Sequence, residues 1–219
     1  MPGDGMSSDL LFPISGVERI KPDLAANIVT AHHYLHRAPS ISFAFGLWEF
    51  GQLVGVATYG IPGSRNVQRS VCPSDPDTAI ELNRLWVHDE QPRNTESRFV
   101  AQTLRDLPPR LIFSYADTSQ GHIGYVYRAL NFNYAGWTDM DRKTPRFDYL
   151  PHDPKKHPRE SSRSGHSDIA VYRSRKAKYW IATGNRSERK NLKKICGWPV
   201  LSWRDYPIPE LDNGYGVMP

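Results

Sequence analysis

One stretch gathers more proton-handling side chains than a strand-to-helix junction ordinarily needs. In SYADTSQGHIGYVYRAL, from Ser114 to Leu130, an apolar run ends on Asp117, and Gln120, Gly121 and His122 follow as a turn. Tyr125 and Tyr127 fall on the helix expected next. Ligands of open α/β sheets lie at the C-terminal ends of strands, where this reading puts Asp117. Asp serves as a base or metal ligand, His as either, and Tyr as an acid. An ordinary cap by Asp117 and Ser119 would account for the carboxylate, but not for Gln120, His122 and Tyr127 as well.

Three more stretches carry candidates. In HHYLHR, His32 and His36 are four apart, and on one helix face that spacing can hold a metal. Imidazoles at a helix C-terminus facing the dipole are the plainer account. In ELNRLWV, a strand bearing Glu81, Asn83 and Arg84 is too polar to be buried without partners, and Arg84 suits an anion or carboxylate. The alternative leaves Asn83 and Arg84 exposed on an ordinary core strand. QPRNTESRF makes a strand-to-helix turn offering Arg93, Asn94, Thr95, Ser97 and Arg98. No glycine occurs between Asp89 and Leu104. The turn therefore lacks the bare backbone with which glycine-rich turns grip a pyrophosphate.

The elements that would position these residues read in order as helix, β-hairpin, strand, helix, strand, helix, strand. The helix lies within KPDLAANIVTAHHYLHRAP, with Pro22 and Asp23 in its first turn and Pro39 beyond its end. Strands at 42–50 and 53–59 form the hairpin. SRNVQRSVCPSDPDTA reads as a polar loop. IELNRLWVHD is a strand, TESRFVAQTLRDL a helix capped by Thr95, and LIFSYAD a buried strand. GHIGYVYRAL is a short helix and NFNYAGWTDM a strand. IAVYRSRKAKYWIATG reads as a second hairpin, followed by a basic segment, NRSERKNLKKICGWP. Strand-helix-strand units imply parallel pairing beside the antiparallel hairpin, hence a mixed α/β sheet flanked by helices. That order matches the GNAT-like fold.

Charge is distributed unevenly. Residues 1–141 hold 11 Lys and Arg against 15 Asp and Glu, whereas residues 142–219 hold 17 against 8. The expected organisation is a core at 1–141 and a basic extension at 142–219 that completes the fold and contacts a polyanion, nucleic acid first among them. The cations concerned are Lys155, Lys156, Arg173, Arg175, Lys176, Lys190, Lys193 and Lys194. The two cysteines, Cys72 and Cys196, have no zinc-ribbon spacing, and a reducing cytoplasm is the expected compartment. No apolar run approaches a bilayer span, and the first residues lack secretory character.

Together HHYLHRAP, GVATYGIPG, IELNRLWVHDEQPRNTESRFV and SYADTSQGHIGYVYRALNFNYAG resemble the Mom family of phage DNA-modification proteins. The resemblance covers about residues 22–140 and implies a GNAT-like enzyme, a transferase that converts adenine N6 in DNA to its carbamoylmethyl (acetamido) form and so protects the DNA from restriction. It implies double-stranded DNA as partner, with tRNA as a second candidate, and the cytoplasm of a bacterial host as the location. It leaves the donor as acetyl-CoA or a glycyl-tRNA-like activated glycine, and makes iron a candidate metal. By motif it assigns His33, Tyr34, Asp117 and Tyr127 to catalysis, with His33 and Asp117 as the metal or base pair. Arg84, Asn94, Glu96, Ser97, Ser114, Tyr115, Gln120 and His122 fall to substrate binding.

Adenine N6 is a weak nucleophile, so its proton must leave as the new bond forms, and the donor carbonyl needs stabilising. Backbone N–H groups near Val56–Tyr59 are expected to hold that oxygen. Reaching N6 in a paired base calls for flipping, with Trp86, Tyr59 or Trp137 as a wedge. Two other readings are an N-acetyltransferase on a small amine or protein, marked by tight acetyl-CoA binding without DNA, and a non-catalytic nucleic-acid-binding protein, marked by indifference to loss of Asp117.

Overall fold

A computed structural model of the chain describes residues 16–141, 147–150 and 169–202. The chain divides into two compact units. One comprises residues up to Ile112 together with Ala182–Gly197, and the other Phe113–Ile181 with the residues from Trp198 onward.

The first unit begins with β1 (Gly16–Arg19) and α1 (Pro22–His32), continues through β2 (Phe43–Glu49), β3 (Gln52–Gly60), α2 (Arg65–Val71), β4 (Ala79–Val87) and α3 (Thr95–Asp106), and enters β5 (Leu111–Asp117). Strands β1 to β4 are neighbours in chain order, each antiparallel to the next. The β2–β3 hairpin matches expectation, with Phe50-Gly51 at its tip, both at positive φ. Pro22 opens α1, where a missing N–H costs nothing, and Asp23 favours the positive end of the helix dipole. Its inner face sets Ala25 and Val29 against Ala44 and Val56, with Ile20, Ile28, Ile41, Leu53 and Trp86 closing the cluster. Fully burying one side chain the size of Val29 contributes about 1.5–3 kcal/mol.

Two expectations in this unit change, and a third segment gains an element. The segment read as a polar loop contains α2, because Gln68 is buried and donates from its amide to the Ala79 carbonyl at 2.8 Å, which satisfies the polar group inside. Asn94, not Thr95, caps α3, in the left-handed region at φ 68°. The basic segment forms a helix, α5 (Arg186–Ile195), which belongs to this unit.

The second unit carries most of β5, then α4 (Tyr125–Ala129), β6 (Asn133–Trp137), β7 (Phe147–Leu150), β8 (Ile169–Tyr172) and β9 (Lys176–Ala182). Strand β9 lies between β5 and β6 and pairs antiparallel with β6. The expected β8–β9 hairpin does not form. β8 pairs with β7 instead, and Arg173-Ser174-Arg175 links two strands of different sheets. Trp198 is buried against Phe113 and Tyr115, with ring centroids 5.5 and 6.1 Å away, and the Lys178 ammonium lies 5.2 Å from its ring centre. Burial pushes the Lys178 pKa below the ordinary lysine value, and Asp141 opposes that shift. No helix among the described residues is long and apolar enough to cross a membrane.

Candidate functional site

In the first unit, His33, Tyr34 and Arg84 lie around the end of α1. The helix stops at His32, so His32 and His36 do not share a helical face, and the four-residue metal spacing is lost. His33 caps the helix in extended conformation and donates its N–H to Val29 O. The His33 Nδ1 accepts from the Leu35 N–H at 3.2 Å, and its ring stacks on Tyr34 at 4.3 Å. His36 adopts φ 43°, and its Nδ1 lies 3.1 Å from the Thr30 carbonyl. HHYLHR is thus a helix-terminating turn that presents the His33–Tyr34 ring pair.

Beside that turn lies Arg84, on β4. Its guanidinium is buried rather than exposed, at 9% relative exposure. It donates to the carbonyls of Asn83 (2.6 Å) and Arg37 (3.2 Å), and its Nε has no hydrogen-bond partner among the described residues. Burial pushes its pKa below the ordinary guanidinium value, with Glu81 acting against that shift and Arg37 adding to it. Asn83 is also tied in, accepting from Thr58 Oγ1 at 2.6 Å and donating to Ser40 O at 2.8 Å. The Ser40 carbonyl approaches Gly60 so closely that any Cβ there would collide with it. The polar face of ELNRLWV therefore fastens β4 to the 37–40 segment, which resolves the problem of a polar strand in a core.

At the start of α3, Ser97 donates to Asn94 O at 2.9 Å and Thr95 to Pro92 O at 2.6 Å, while Glu96 is exposed. The hydroxyls of this turn serve its own backbone. Strand β3 runs between β2 and β4, so Val56 and Ala57 spend their backbone groups in the ladders, while the register with β4 shifts between Thr58 and Tyr59, at the far end of the expected Val56–Tyr59 segment. Of the three suggested wedges, Tyr59 is fully buried with its hydroxyl 2.6 Å from Thr103 Oγ1, Trp137 is 2% exposed, and Trp86 stacks on His32 at 4.7 Å. The first two are core residues.

In the second unit, two clusters form at the end of β5. Asp117 is 7% exposed. Its Oδ1 accepts from Ser174 Oγ at 2.9 Å, and its Oδ2 lies 2.7 Å from Lys176 Nζ. The Thr118 hydroxyl donates to Arg175 O at 3.3 Å, so residues 117–118 are stitched to 174–176. Nothing in the sequence paired Lys176 with Asp117; the only signal was a lysine immediately before the buried alternation of β9. An ammonium already occupies the place of a cation at this carboxylate, so Asp117 does not fit a metal ligand. Among the described residues no three His, Cys, Asp or Glu side chains gather to hold a metal ion.

The second cluster is built on Tyr127. Its hydroxyl shares a hydrogen bond of 2.8 Å with Ser114 Oγ and donates to Tyr115 O at 3.5 Å. Its ring stacks on Tyr179 at 4.7 Å and meets Phe132 at 5.3 Å. Gly124, at φ 81°, precedes the helix, and a Cβ there would strike the Tyr179 ring. The fold thus brings Ser114, Tyr115 and Tyr127 together, whereas Gln120 and His122 lie exposed in the segment between β5 and α4. Lys190, Lys193 and Lys194 are exposed on α5. Arg173, Arg175 and Lys176 are half-buried, and Lys155 and Lys156 lie outside the described residues.

Compared with known families, residues 15–195 match the model of the Mom protein family. The chain belongs to that family. Among curated relatives of this Mom-family chain is the methylcarbamoylase mom of Escherichia phage Mu, 36% identical over 129 residues. The aligned region is 55% of this chain and 53% of that protein, so the chain spans about half the length of the curated relative it matches. Similar solved structures include a GNAT-like decarboxylase, GphF, in complex with isobutyryl-CoA. It is 11% identical with a TM-score of 0.44, over 77% of this chain and 99% of that one. Another is yncA, a putative acetyltransferase from Salmonella typhimurium with acetyl-CoA, 8% identical with a TM-score of 0.44, over 79% and 96%.

Proposed function

We propose that this Mom-family chain is a DNA-modifying transferase that exchanges one hydrogen of adenine N6 for a carbamoylmethyl group. The observation that carries the reading is the family match across residues 15–195, joined to a relative named as a methylcarbamoylase. The added group, CH2–CO–NH2, contains two carbons and a nitrogen. A glycine-derived unit activated on tRNA would bring all three atoms; transfer to N6 at its carbonyl releases the tRNA hydroxyl and gives the isomer N6–CO–CH2–NH2, so the carbamoylmethyl connectivity requires a rearrangement after transfer. Acetyl-CoA would bring only the carbons, and joining its methyl carbon to N6 would require an oxidant as well as a nitrogen source.

The second unit supplies groups suited to the proton transfer. As N6 forms its bond it must lose a proton and the departing group of the donor must gain one, and the Tyr127–Ser114 hydroxyl pair, hydrogen-bonded at 2.8 Å, is suited to carry the proton from the one to the other. Asp117 is best cast as a positioning residue, because its carboxylate already holds Lys176 and Ser174. In the first unit, the His33–Tyr34 stack offers an aromatic surface for a base or donor. No step is routed through iron, since the Asp117 site holds an ammonium.

The expected outcome in cells is protection. DNA from bacteria expressing this chain should resist restriction endonucleases whose sites contain adenine, relative to DNA from the same strain with an empty vector. Equal cutting of the two DNAs contradicts the reading.

A further inference from the structure

We infer that one face of α5 is a docking rail for the phosphodiester backbone of duplex DNA. The inference rests on the reading of the chain as a DNA-modifying enzyme and names the surface that holds the substrate. The helix RSERKNLKKI carries five cations: Arg186, Arg189, Lys190, Lys193 and Lys194, all exposed. At 3.6 residues per turn they fall within an arc of about 140°. Leu192, which is buried, and Glu188 lie on the other side.

Such an arrangement is unfavourable for a helix alone. Arg186 stands three and four residues from Arg189 and Lys190, and these repeat the spacing to Lys193 and Lys194, so like charges face one another along the whole stripe. Arg186 also occupies the first turn, where the helix dipole disfavours a cation. The acid of the helix, Glu188, does not relieve this, because its carboxylate accepts from the Asn185 N–H at 2.7 Å in a capping box. A local conflict that runs along a whole face is the pattern expected of a functional surface. A polyanion laid along the stripe satisfies all five charges together.

The rail is also held rigidly. Asn185 and Glu188 cap its start, and Thr183 just before it donates to Pro108 O at 2.7 Å and accepts from the Arg110 N–H at 2.9 Å. Just beyond its end, the Gly197 N–H donates to Val71 O at 2.8 Å, and Gly197 packs so closely on the Ser70 carbonyl and Pro73 that a side chain would not fit without a shift. Both ends of the helix are therefore fixed to the first unit. A rigid row of cations is suited to phosphate, and phosphate contacts position a duplex without reading its sequence.

The test is fluorescence anisotropy of labelled duplexes, with tRNA as a parallel probe, across a range of salt. The variant K190Q/K193Q/K194Q keeps good helix formers and removes three charges. The slope of log affinity against log salt should become shallower by about 2–3, since each lost phosphate contact removes about 0.9. Affinity at physiological salt should fall about tenfold or more, equally for duplexes of unrelated sequence. Circular dichroism melting checks that the variant is folded, and R186Q/R189Q provides an independent pair should it not be. A folded variant with an unchanged slope on duplex DNA overturns the proposal, as does a loss confined to tRNA. The two readings fail separately. Unmodified DNA alongside a weakened duplex affinity leaves the rail intact and removes the chemistry, while modified DNA alongside an unchanged slope does the reverse.

Discussion

Replacing Tyr127 with Phe is expected to lower adenine modification by about 10²–10⁴-fold, the usual contribution of a positioned acid or base. The substitution removes one oxygen and leaves the ring. Stacking on Tyr179 and contact with Phe132 survive, so the melting temperature should change little. What is lost is the hydroxyl that bridges Ser114 and the Tyr115 carbonyl. S114A should have a smaller effect, because Tyr127 keeps its own proton and only its relay partner is gone. The pH profile separates chemistry from structure. If Tyr127 transfers the proton, the Phe variant's residual rate loses the limb of the profile that the hydroxyl contributed. If Tyr127 only packs, Y127F retains wild-type rates at every pH.

Loss of Asp117 should damage the fold before the chemistry. D117A leaves the Lys176 ammonium beside Ser174 with neither charge partner nor acceptor. Breaking a fully buried ion pair costs about 3–5 kcal/mol; Lys176 is a third exposed, so about 2–3 kcal/mol is expected here. A double-mutant cycle with K176M tests the coupling, because removing both charges should recover much of the loss. Chemical denaturation of the four proteins measures it. An independent pair, with D117A no less stable than the parent, would mean that the carboxylate is held for another purpose and would return it to the list of candidate bases.

The parts of the fold that the sequence revealed are those specified by local pattern. LIFSYAD is apolar over most of its length and stops at a turn, so β5 and the position of Asp117 were legible. The hairpin of β2 and β3 was legible for the same reason. What stayed hidden depended on distant partners. IAVY and KAKYWIA look like two arms of one hairpin, yet each finds a different neighbour, and only the folded chain reveals it. That Arg84 and Asn83 needed partners was legible, but not which ones, because the carbonyls of Arg37 and Ser40 lie more than forty residues away in sequence. The helix α5 could have been found. Asn185 and Glu188 have capping-box spacing, but a single buried leucine gave too little apolar periodicity to draw attention to it. The polar turn before α3 was legible as a turn, while the left-handed backbone of Asn94 was not.

The claim on which the rest depends is chemical, that this chain adds a two-carbon, one-nitrogen unit to adenine. Mass spectrometry of nucleosides released from DNA of cells expressing the chain measures it directly. The account predicts a deoxyadenosine derivative heavier by C2H3NO, sharply reduced in cells expressing Y127F. A mass gain of C2H2O, the signature of acetylation, or unmodified deoxyadenosine beside well-expressed, folded protein, would contradict it.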